Sequence, residues 1–469
     1  MTEAKYDLVI VGAGAAGLIA ADFALHLGAK VALLEKDRIG GDCTWTGCVP
    51  SKALIKAAQI AHEVRSASRY GIAASTPITD MGRVREYLQS AIAHIYKPTA
   101  PESLRQKGMD VFLGPTSFVD PWSIRTGDQI IHSKKFLIAT GARPLVPPIA
   151  GLSETNYYTY LNIFDNEHLP ASMIVIGGGP VGMEIAQAYQ RLGSQVTMVV
   201  ERLLPKEEPD VREVMQKVFE REGVRFVWGR AQACRHEGNA ITVSADKGEA
   251  VGEMLLIASG RSPNVDGLDL ENAGVKYSAK GIPVDTHLRT NTKHIYAAGD
   301  VLGGQQFSHF AGWQAFQAVR NALLPGKSSG FTHVLPRVTF TDPEVAQVGL
   351  NEQSARSTFG EHVQVRRWPL SRVDRAVCEG ETDGFIKVLA KRDGTILGAT
   401  IVAHRAGEAI AELAIAMDHK LKINDLAGTI HAYPTYSTGI QLLLTEMAVE
   451  ARLSGASGRI IRGLSEVVR

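Results

Sequence analysis

The sequence has 469 residues, and its content of 45% hydrophobic and 21% charged residues is typical of globular proteins. This length predicts about three domains. The 50 lysines and arginines against 49 acidic residues leave a net charge of +1, so we expect neither nucleic acid nor an anionic membrane as a partner. The longest uncharged apolar stretch, residues 8–21, is shorter than the roughly 20 residues of a membrane helix. Because Glu3 and Asp7 flank Lys5, the N-terminus lacks the basic region of a secretory signal, which predicts a cytoplasmic protein.

The first unit of the chain has the pattern of a dinucleotide-binding turn. An apolar run at 6–11 predicts a buried strand, a Gly-x-Gly-x-x-Gly turn follows it, and a helical stretch leads to a second strand at 30–34. The first glycine permits a tight turn, the second lets the backbone approach a pyrophosphate, and the third lets the helix pack closely. An acid after the second strand can accept a hydrogen bond from a ribose hydroxyl. The residues with these predicted roles are Gly12, Gly14, Gly17 and Glu35.

A second unit repeats this pattern later in the chain. A strand at 173–176 enters another glycine-rich turn, and a helix and a strand at 195–200 follow, closed again by an acid. Two such units predict two nucleotides, and the economical interpretation is one flavin dinucleotide and one exchangeable nicotinamide dinucleotide. The alternative is a duplicated core that binds only one of them. The residues of the second unit are Gly177, Gly179, Val181, Gly182 and Glu201.

The remaining segments predict an α/β fold with two Rossmann-like domains and a C-terminal α+β domain. Runs at 135–144, 258–264 and 290–300 have the pattern of a chain that crosses back into a nucleotide domain, and 325–332 has the composition of a linker. Strands are predicted at 338–349, 385–390 and 396–403, and a helix at 407–419. We therefore expect an FAD-binding domain at 1–150 and 271–330, an NAD(P)-binding domain at 151–270 and a dimerisation domain at 335–469.

Residues 40–52, GGDCTWTGCVPSK, contain two cysteines five positions apart. Cys43 and Cys48 are not neighbours on a regular helix, so their pairing requires a distorted first turn, which Gly47 and Pro50 permit. A disulfide there would lie near a helix N-terminus, where the dipole stabilises a thiolate, and it suits redox cycling better than a structural role. The alternatives are two unrelated thiols or half of a metal site. Because no further Cys/His cluster completes a tetrahedral set, we expect no metal site.

These motifs together resemble a known family. The cysteine run, both glycine-rich units, ATGARP at 139–144, ASGRSPN at 258–264 and the strand ending in Gly299 and Asp300 are similar to those of the flavin-dependent pyridine nucleotide–disulfide oxidoreductases. Dihydrolipoamide dehydrogenase, glutathione reductase and mercuric reductase belong to this group. The resemblance covers nearly the whole chain. It implies FAD, NADH or NADPH as cofactors, and a homodimer formed through the C-terminal domain.

The resemblance also assigns roles to single residues. Cys48 would face the flavin and Cys43 would be the exchanging sulfur, while Lys52 and Glu184 match a lysine and an acid that pair beside the flavin. The alternative for Lys52 is a solvated helix lysine. The predicted cofactor contacts are Gly12, Gly14, Gly17, Glu35, Gly41, Lys52, Thr116, Thr140, Gly141, Asp300, Phe307, Ser308 and His309, with Gly177, Gly179, Val181, Gly182, Glu201 and Gly260 in the second unit.

The implied reaction passes electrons from NAD(P)H through FAD to the Cys43–Cys48 disulfide, and the dithiol then reduces an acceptor. The chain departs from the family's disulfide reductases in its C-terminal run, where Tyr433 and Thr438 occupy the positions of an acid–base histidine and its glutamate. A tyrosine is a poor base at neutral pH, which argues against ordinary lipoamide or glutathione turnover. His431 is a candidate substitute if the loop shifts.

The acceptor is therefore predicted to be a metal ion, a quinone or an unusual disulfide. The alternatives are lipoamide dehydrogenase-like or mercuric reductase-like activity proper, a flavin-only quinone or dye reductase with an inert disulfide, and a redox-responsive binding module. Cys234 and Cys378 have no partner in the sequence pattern, and the C-terminal cysteine pair of mercuric reductases is absent. For the nicotinamide, Glu201 favours NADH because a carboxylate repels a 2′-phosphate, although Arg202 follows it directly.

Overall fold

A computed structural model of the chain describes residues 5–469, with the backbone alone at 455–457. The strands, numbered in chain order, are β1 Leu8–Val11, β2 Val31–Glu35, β3 Asp110–Leu113, β4 Thr116–Asp120, β5 Ser123–Thr126, β6 Gln129–His132, β7 Phe136–Ile138, β8 Ala142–Pro144, β9 Ser172–Ile176, β10 Gln195–Val200, β11 Arg225–Trp228, β12 Ala231–Glu237, β13 Ala240–Ala245, β14 Gly248–Gly252, β15 Met254–Ile257, β16 Arg261–Pro263, β17 Ile295–Ala297, β18 Arg337–Thr339, β19 Glu344–Gly349, β20 Val363–Pro369, β21 Phe385–Lys391 and β22 Ile396–Ala403.

The α-helices are α1 Ala15–His26, α2 Gly41–Trp45, α3 Cys48–Ser66, α4 Met81–Tyr96, α5 Pro101–Gln106, α6 Pro180–Leu192, α7 Pro209–Arg221, α8 Ser308–Leu323, α9 Glu352–Phe359, α10 Asp374–Glu379, α11 Ala406–Asp418, α12 Ile423–Ala427, α13 Ser437–Leu453 and α14 Gly455–Val468. Within the described residues, no helix is long and apolar enough to cross a membrane. The chain divides into two compact units, the first with residues up to Arg202 and Val224–Thr332, the second with Leu203–Gly223 and His333–Arg469.

The first unit contains two parallel sheets. One has the strand order β17-β7-β1-β2-β3, and its central strand Leu8–Val11 is buried on both faces, as an all-parallel sheet requires. Alanines of α1 and α8, such as Ala20 and Ala315, pack on one face, and Phe118 and Ile124 of the antiparallel β4-β5-β6 sheet pack on the other. The other parallel sheet has the order β11-β10-β9-β15. Each sheet leads through a glycine-rich turn into a helix, α1 or α6.

The second unit is built on an antiparallel sheet of order β18-β19-β22-β21-β20. Its core joins strand residues such as Ile401 to Leu413 of α11 and Leu444 of α13. The structure thus confirms the predicted α/β class with a C-terminal α+β domain. One predicted strand is divided in the structure. The predicted strand at 338–349 forms two strands, β18 and β19, on either side of Pro343, a residue with no N–H to donate to a neighbouring strand.

Helix α7 groups with this second unit, whereas the sequence places it in the segment 151–270. The Lys387 ammonium of β21 is buried, and it lies 2.9 Å from a Glu208 carboxylate oxygen and 2.7 Å from one of Asp210. Arg337 and Glu207 form another largely buried ion pair. Buried charges of this kind require partners, so these pairs tie the start of α7 to the C-terminal sheet.

Candidate active site

The two cysteines of the redox run lie on consecutive helical segments. Cys43 is on α2, Cys48 is the first residue of α3, and the backbone breaks between them at Thr46 and Gly47. A Cβ atom on Gly47 would lie 2.8 Å from the Asp42 carbonyl oxygen, so only glycine fits this break. The structure holds both cysteines as free thiols joined by a side-chain hydrogen bond. The distorted first turn thus brings the two sulfurs together.

The two thiols have opposite pKa shifts. The hydrogen bond from Cys43, with a further one from Ser308 and the nearby Lys52 ammonium, lowers the pKa of Cys48 to about 6, against partial opposition from burial and the Glu184 charge. The same hydrogen bond to Cys48 raises the pKa of Cys43, and burial adds to the rise. Cys48 is therefore the thiolate of the pair at neutral pH, and Cys43 is the thiol that donates to it.

Lys52 and Glu184 form an ion pair next to the thiols. The Lys52 Nζ donates to Glu184 Oε2 at 2.9 Å and to Ser51 Oγ at 3.3 Å. Glu184 is on α6 and its side chain is only 8% exposed, so its charge depends on this lysine. The pair thus joins α3, which begins at the thiolate, to α6, which begins at the second glycine-rich turn.

The start of α8 contributes the other contact to Cys48. Ser308 Oγ lies 3.4 Å from Cys48 Sγ, and the rings of Phe307 and His309 stack beside it with centroids 5.5 Å apart. The Gln306 side chain reaches the Asp300 carbonyl at 3.5 Å. The structure thus brings this predicted segment to the thiol pair.

Asp42, directly before Cys43, belongs to a charged network that sequence reasoning missed. Arg261 lies between Asp42, at 2.7 Å, and Asp300, and the Tyr160 hydroxyl donates to Asp42 at 3.0 Å. Burial raises the pKa of Asp300, and the guanidinium opposes that rise. The arginine lies in the ASGRSPN run, but no spacing in the sequence links it to Asp42.

The first glycine-rich turn fits a pyrophosphate. Gly12 has φ +100°, and a Cβ there would lie 2.4 Å from the Ala139 carbonyl oxygen, while one on Gly17 would lie 1.8 Å from the Gly12 carbonyl oxygen. Among the described residues no side chain caps the start of α1, so its first N–H groups remain available to phosphate. Glu35 accepts from the Ala13 N–H at 2.8 Å and from the Asp37 N–H at 2.9 Å. These residues could hold the adenosine and pyrophosphate of FAD.

Further residues predicted to contact FAD in this domain are Gly41, Thr140, Gly141 and Thr116. A Cβ on Gly41 would lie 2.8 Å from the Gly14 Cα, so the cysteine run begins against the turn. Thr140 Oγ1 donates to the Asn264 carbonyl at 2.7 Å, and Gly141 has φ +69°. Thr116, at the start of β4, is buried and donates to the Gly114 carbonyl at 3.2 Å.

The second turn has the same geometry as the first. Gly177 has φ +121° and Gly182 packs against its carbonyl, while a Cβ on Gly179 would meet nothing within 4 Å. Val181 lies in the first turn of α6, and Gly260, with φ +130°, follows β15 at the same edge of the sheet. These residues could hold the pyrophosphate of a second dinucleotide.

Glu201, at the end of β10, has a partner that the sequence pattern did not indicate. The Arg230 Nε donates to Glu201 Oε1 at 3.0 Å, and both side chains are exposed. Arg230 follows β11, the strand next to β10 in the parallel sheet, so carboxyl-terminal strand ends bring the two together. No local spacing could have found a residue that comes from the neighbouring strand.

The C-terminal loop has no free base at the predicted positions. The Tyr433 hydroxyl donates to Asp374 Oδ2 at 2.7 Å, and this hydrogen bond raises the pKa of Tyr433. His431 Nε2 lies 2.8 Å from Glu412 Oε1, and its Nδ1 lies 3.0 Å from the Thr429 carbonyl. Both ring nitrogens are thus occupied. Thr438 bonds back to the Ala432 carbonyl at 3.3 Å.

Sequence comparison defines the class of protein. Residues 6–323 match the family model for pyridine nucleotide-disulphide oxidoreductases, and 335–443 match that family's dimerisation domain. The chain belongs to the pyridine nucleotide-disulphide oxidoreductase family. It is accordingly an FAD-dependent, NAD(P)H-linked oxidoreductase with a disulfide redox centre, and its dimerisation domain supports a homodimer.

Named relatives come from several branches of this family. A mercuric reductase of Staphylococcus aureus is 34% identical over 94% of this chain and 82% of its own. A dihydrolipoyl dehydrogenase of Thermus scotoductus is 33% identical over 93% of this chain and 96% of its own. Among solved structures, the Cu(II) complex of the HOCl-induced flavoprotein disulfide reductase RclA from Escherichia coli has a TM-score of 0.85 and 29% identity, with coverage of 94% of this chain and 99% of that one.

Proposed function

We propose that this chain reduces a thiophilic metal ion at Cys43 and Cys48, with electrons from NAD(P)H. The observation that carries the proposal is the thiol pair itself: the break at Gly47 brings Cys43 to Cys48, and the Ser308 hydroxyl lies 3.4 Å from Cys48 Sγ. The hydrogen bonds from Cys43 and Ser308 lower the pKa of Cys48. A soft metal ion binds the thiolate directly, so no base is needed to accept the proton of Cys48. The C-terminal loop, with Tyr433 and His431 both engaged, supplies no such base.

The electrons balance without a further reactant. One thiolate and one thiol give up two electrons and one proton as the Cys43–Cys48 disulfide forms, and a divalent ion takes both electrons, or two ions take one each. NAD(P)H returns the electron pair and the disulfide takes up one proton. FAD, when bound, accepts hydride from the nicotinamide and supplies the electron pair to the sulfurs. The Lys52 ammonium favours the thiolate charge, and Glu184 holds that ammonium in place.

The relatives support a metal acceptor. Mercuric reductases are among those that match most of the chain, and one solved neighbour is a Cu(II) complex. Within the described residues, no three His, Cys, Asp or Glu side chains form a metal-binding group, so the ion would be bound by the two sulfurs alone. Two-ligand binding leaves the ion exchangeable, as a substrate must be.

We also propose the domain limits given by the sequence: FAD-binding at 1–150 and 271–330, NAD(P)-binding at 151–270 and dimerisation at 335–469. Helix α7 is the exception, because it groups with the second unit. A redox-active, low-pKa thiol pair suits the reducing cytoplasm, where cellular thiols keep it in turnover. NADH is the proposed preferred donor, because Glu201 suits a ribose diol.

The test is anaerobic, NADH-driven reduction of Hg(II) and of Cu(II) by the holoenzyme, with reduction of a one-electron dye measured in parallel. Cys48→Ser and Cys43→Ser should each lower metal reduction at least about 100-fold, because a hydroxyl is neither a soft ligand nor a redox group. Dye reduction should persist in both variants. Cys378→Ser, a change of an exposed thiol outside the pair, is the matched control and should leave both activities unchanged. Full metal reduction by Cys48→Ser would contradict the proposal.

A further inference from the structure

The carboxyl ends of β10 and β11 carry a charge cluster that the NADH preference alone does not explain. Glu201 ends β10, Arg202 follows it and is exposed, and Arg230 lies 3.0 Å from the Glu201 carboxylate. The three side chains have a net charge of +1. We propose that Arg230 forms a binding site for the 2′-phosphate of NADPH, so that the enzyme uses both nicotinamide nucleotides. This rests on the NAD(P)H dependence and not on the identity of the metal acceptor.

The contacts of Arg230 leave it free to bind an anion. In the described part of the chain its guanidinium binds Glu201 only through Nε, which leaves both terminal nitrogens for phosphate oxygens. The Arg230 N–H donates to Asp246 Oδ2 at 2.8 Å, so the backbone of this residue is held in place. A pair as exposed as Glu201 and Arg230 contributes little stability, and the guanidinium can exchange partners at small cost. Guanidinium to phosphate is a stronger, bidentate pairing.

Glu201 and Arg230 then act in opposite directions. With NADH, Glu201 is free to accept from the ribose hydroxyls, and Arg230 stays at its side. With NADPH, the carboxylate repels the 2′-phosphate, and Arg230 with Arg202 offsets that repulsion. Arg230 thus raises the kcat/KM for NADPH relative to that for NADH, and Glu201 lowers it.

The direct test uses adenosine 2′,5′-bisphosphate and 5′-AMP as probes, bound to the holoenzyme and measured by calorimetry. Arg230→Ala should weaken binding of the bisphosphate about tenfold or more and leave 5′-AMP within about threefold. The kcat/KM for NADPH in dye reduction should fall in parallel, with that for NADH nearly unchanged. Glu201→Gln should strengthen bisphosphate binding.

The matched control is Arg225→Ala, which removes an exposed guanidinium from the opposite end of β11. It should change neither probe. Equal weakening of both probes by Arg230→Ala would show a structural role, and no weakening of either would show no role; both outcomes overturn the proposal. Because these assays contain no metal ion, failure of the metal-acceptor proposal would leave them unaffected.

A separate observation concerns α14, which follows the matched dimerisation domain. Five of its apolar side chains lie at helix spacings that form one stripe, and each is between 44% and 87% exposed: Ile460, Ile461, Leu464, Val467 and Val468. Arg459, Arg462 and Glu466 fall on the opposite face. Apolar stripes of this kind mark contact surfaces.

We infer that a second copy of this chain covers the stripe. Helix α14 packs on α13, and α13 begins inside the dimerisation domain at 335–443 and extends beyond it. Leu442 and Val449 of α13 are exposed as well. The stripe thus lies on the helix that directly follows one belonging in part to the dimerisation domain, and in this inference α14 extends the dimer contact.

Sedimentation equilibrium of the holoenzyme tests this inference. The double change Ile461→Gln and Leu464→Gln should raise the dimer dissociation constant at least about tenfold, because two apolar anchors are lost. The control on the polar face, Arg459→Gln with Arg462→Gln, should leave it unchanged. An unaltered dimer in the first variant overturns the inference, as does binding of the wild type to anionic lipid vesicles that the first variant loses.

Discussion

The thiol pair and the C-terminal loop both contain acid–base side chains, but only the thiol pair is arranged to use them. Cys43, Ser308 and Lys52 all favour charge on Cys48 and lower its pKa to about 6. In the loop, Asp374 raises the pKa of Tyr433, and Glu412 occupies His431. The difference teaches that the proton chemistry of this enzyme lies within the pair of sulfurs, which suits an acceptor that binds thiolate.

The largest expected effect comes from loss of the Cys43 hydrogen bond. In Cys43→Ala the pKa of Cys48 should rise from about 6 toward the 8.5 of a free thiol. Alkylation of Cys48 in the reduced holoenzyme at about pH 6.5 should slow roughly fifty- to a hundredfold, because the thiolate fraction falls by that factor. Peptide mass spectrometry gives the rate at Cys48 alone. An unchanged rate would mean that Cys43 does not polarise its neighbour.

Removal of the Lys52 charge should have a smaller effect in the same direction. Lys52→Met takes away one attractive charge and leaves Glu184 buried without it, so the pKa of Cys48 should rise by about one unit. The double variant Lys52→Met with Glu184→Gln removes both charges and should restore part of the shift. A thiolate titration by ultraviolet absorbance measures all three proteins. A pKa that stays the same in Lys52→Met would show that the ion pair acts on structure alone.

The wild-type pH profile tests the sign of the shift. Since the pKa of Cys48 is lowered to about 6, the thiolate is present above that pH and is lost as the pH falls through it. Metal reduction should therefore be constant from about pH 7 to 8 and fall about tenfold per unit below about pH 5.5. A midpoint near the ordinary thiol value would contradict the hydrogen-bond account.

Changes in the loop should be nearly silent for metal reduction. Tyr433→Phe removes a hydroxyl whose proton is already donated to Asp374, so kcat should change less than about threefold. Asp374→Asn is the companion variant, and it should be equally mild. A loss of tenfold or more in Tyr433→Phe would place the tyrosine in the reaction.

The smallest effect is expected at His431. Its ring is held between Glu412 and the Thr429 carbonyl, so His431→Gln should leave the pH profile of metal reduction unchanged. If the variant lost the pH dependence that the wild type shows, the loop would have to rearrange and bring the His431 imidazole to the reacting thiols. The thermal midpoint of the same variant reports any purely structural cost.

The sequence predicted the elements whose signals are local. The glycine-rich turns, β10 and β22 lie where periodicity and turn residues placed them, because each depends on residues within about 30 positions. Arg230 and Arg261 were not predicted as partners, since their contacts form across neighbouring strands and distant turns. The sequence also did not indicate that α7 belongs to the second unit. That placement depends on the buried Lys387 ammonium, whose partners Glu208 and Asp210 are distant in the sequence.

The most direct measurement is an anaerobic titration of the yellow holoenzyme with NADH, followed in the visible spectrum from about pH 5 to 8. The account predicts a long-wavelength absorption from the Cys48 thiolate beside oxidised flavin, with a midpoint at about pH 6, that disappears on addition of Hg(II). Bleaching of the flavin without that band would mean that the electrons stop before the sulfurs. That result would contradict the thiol pair as the electron exit.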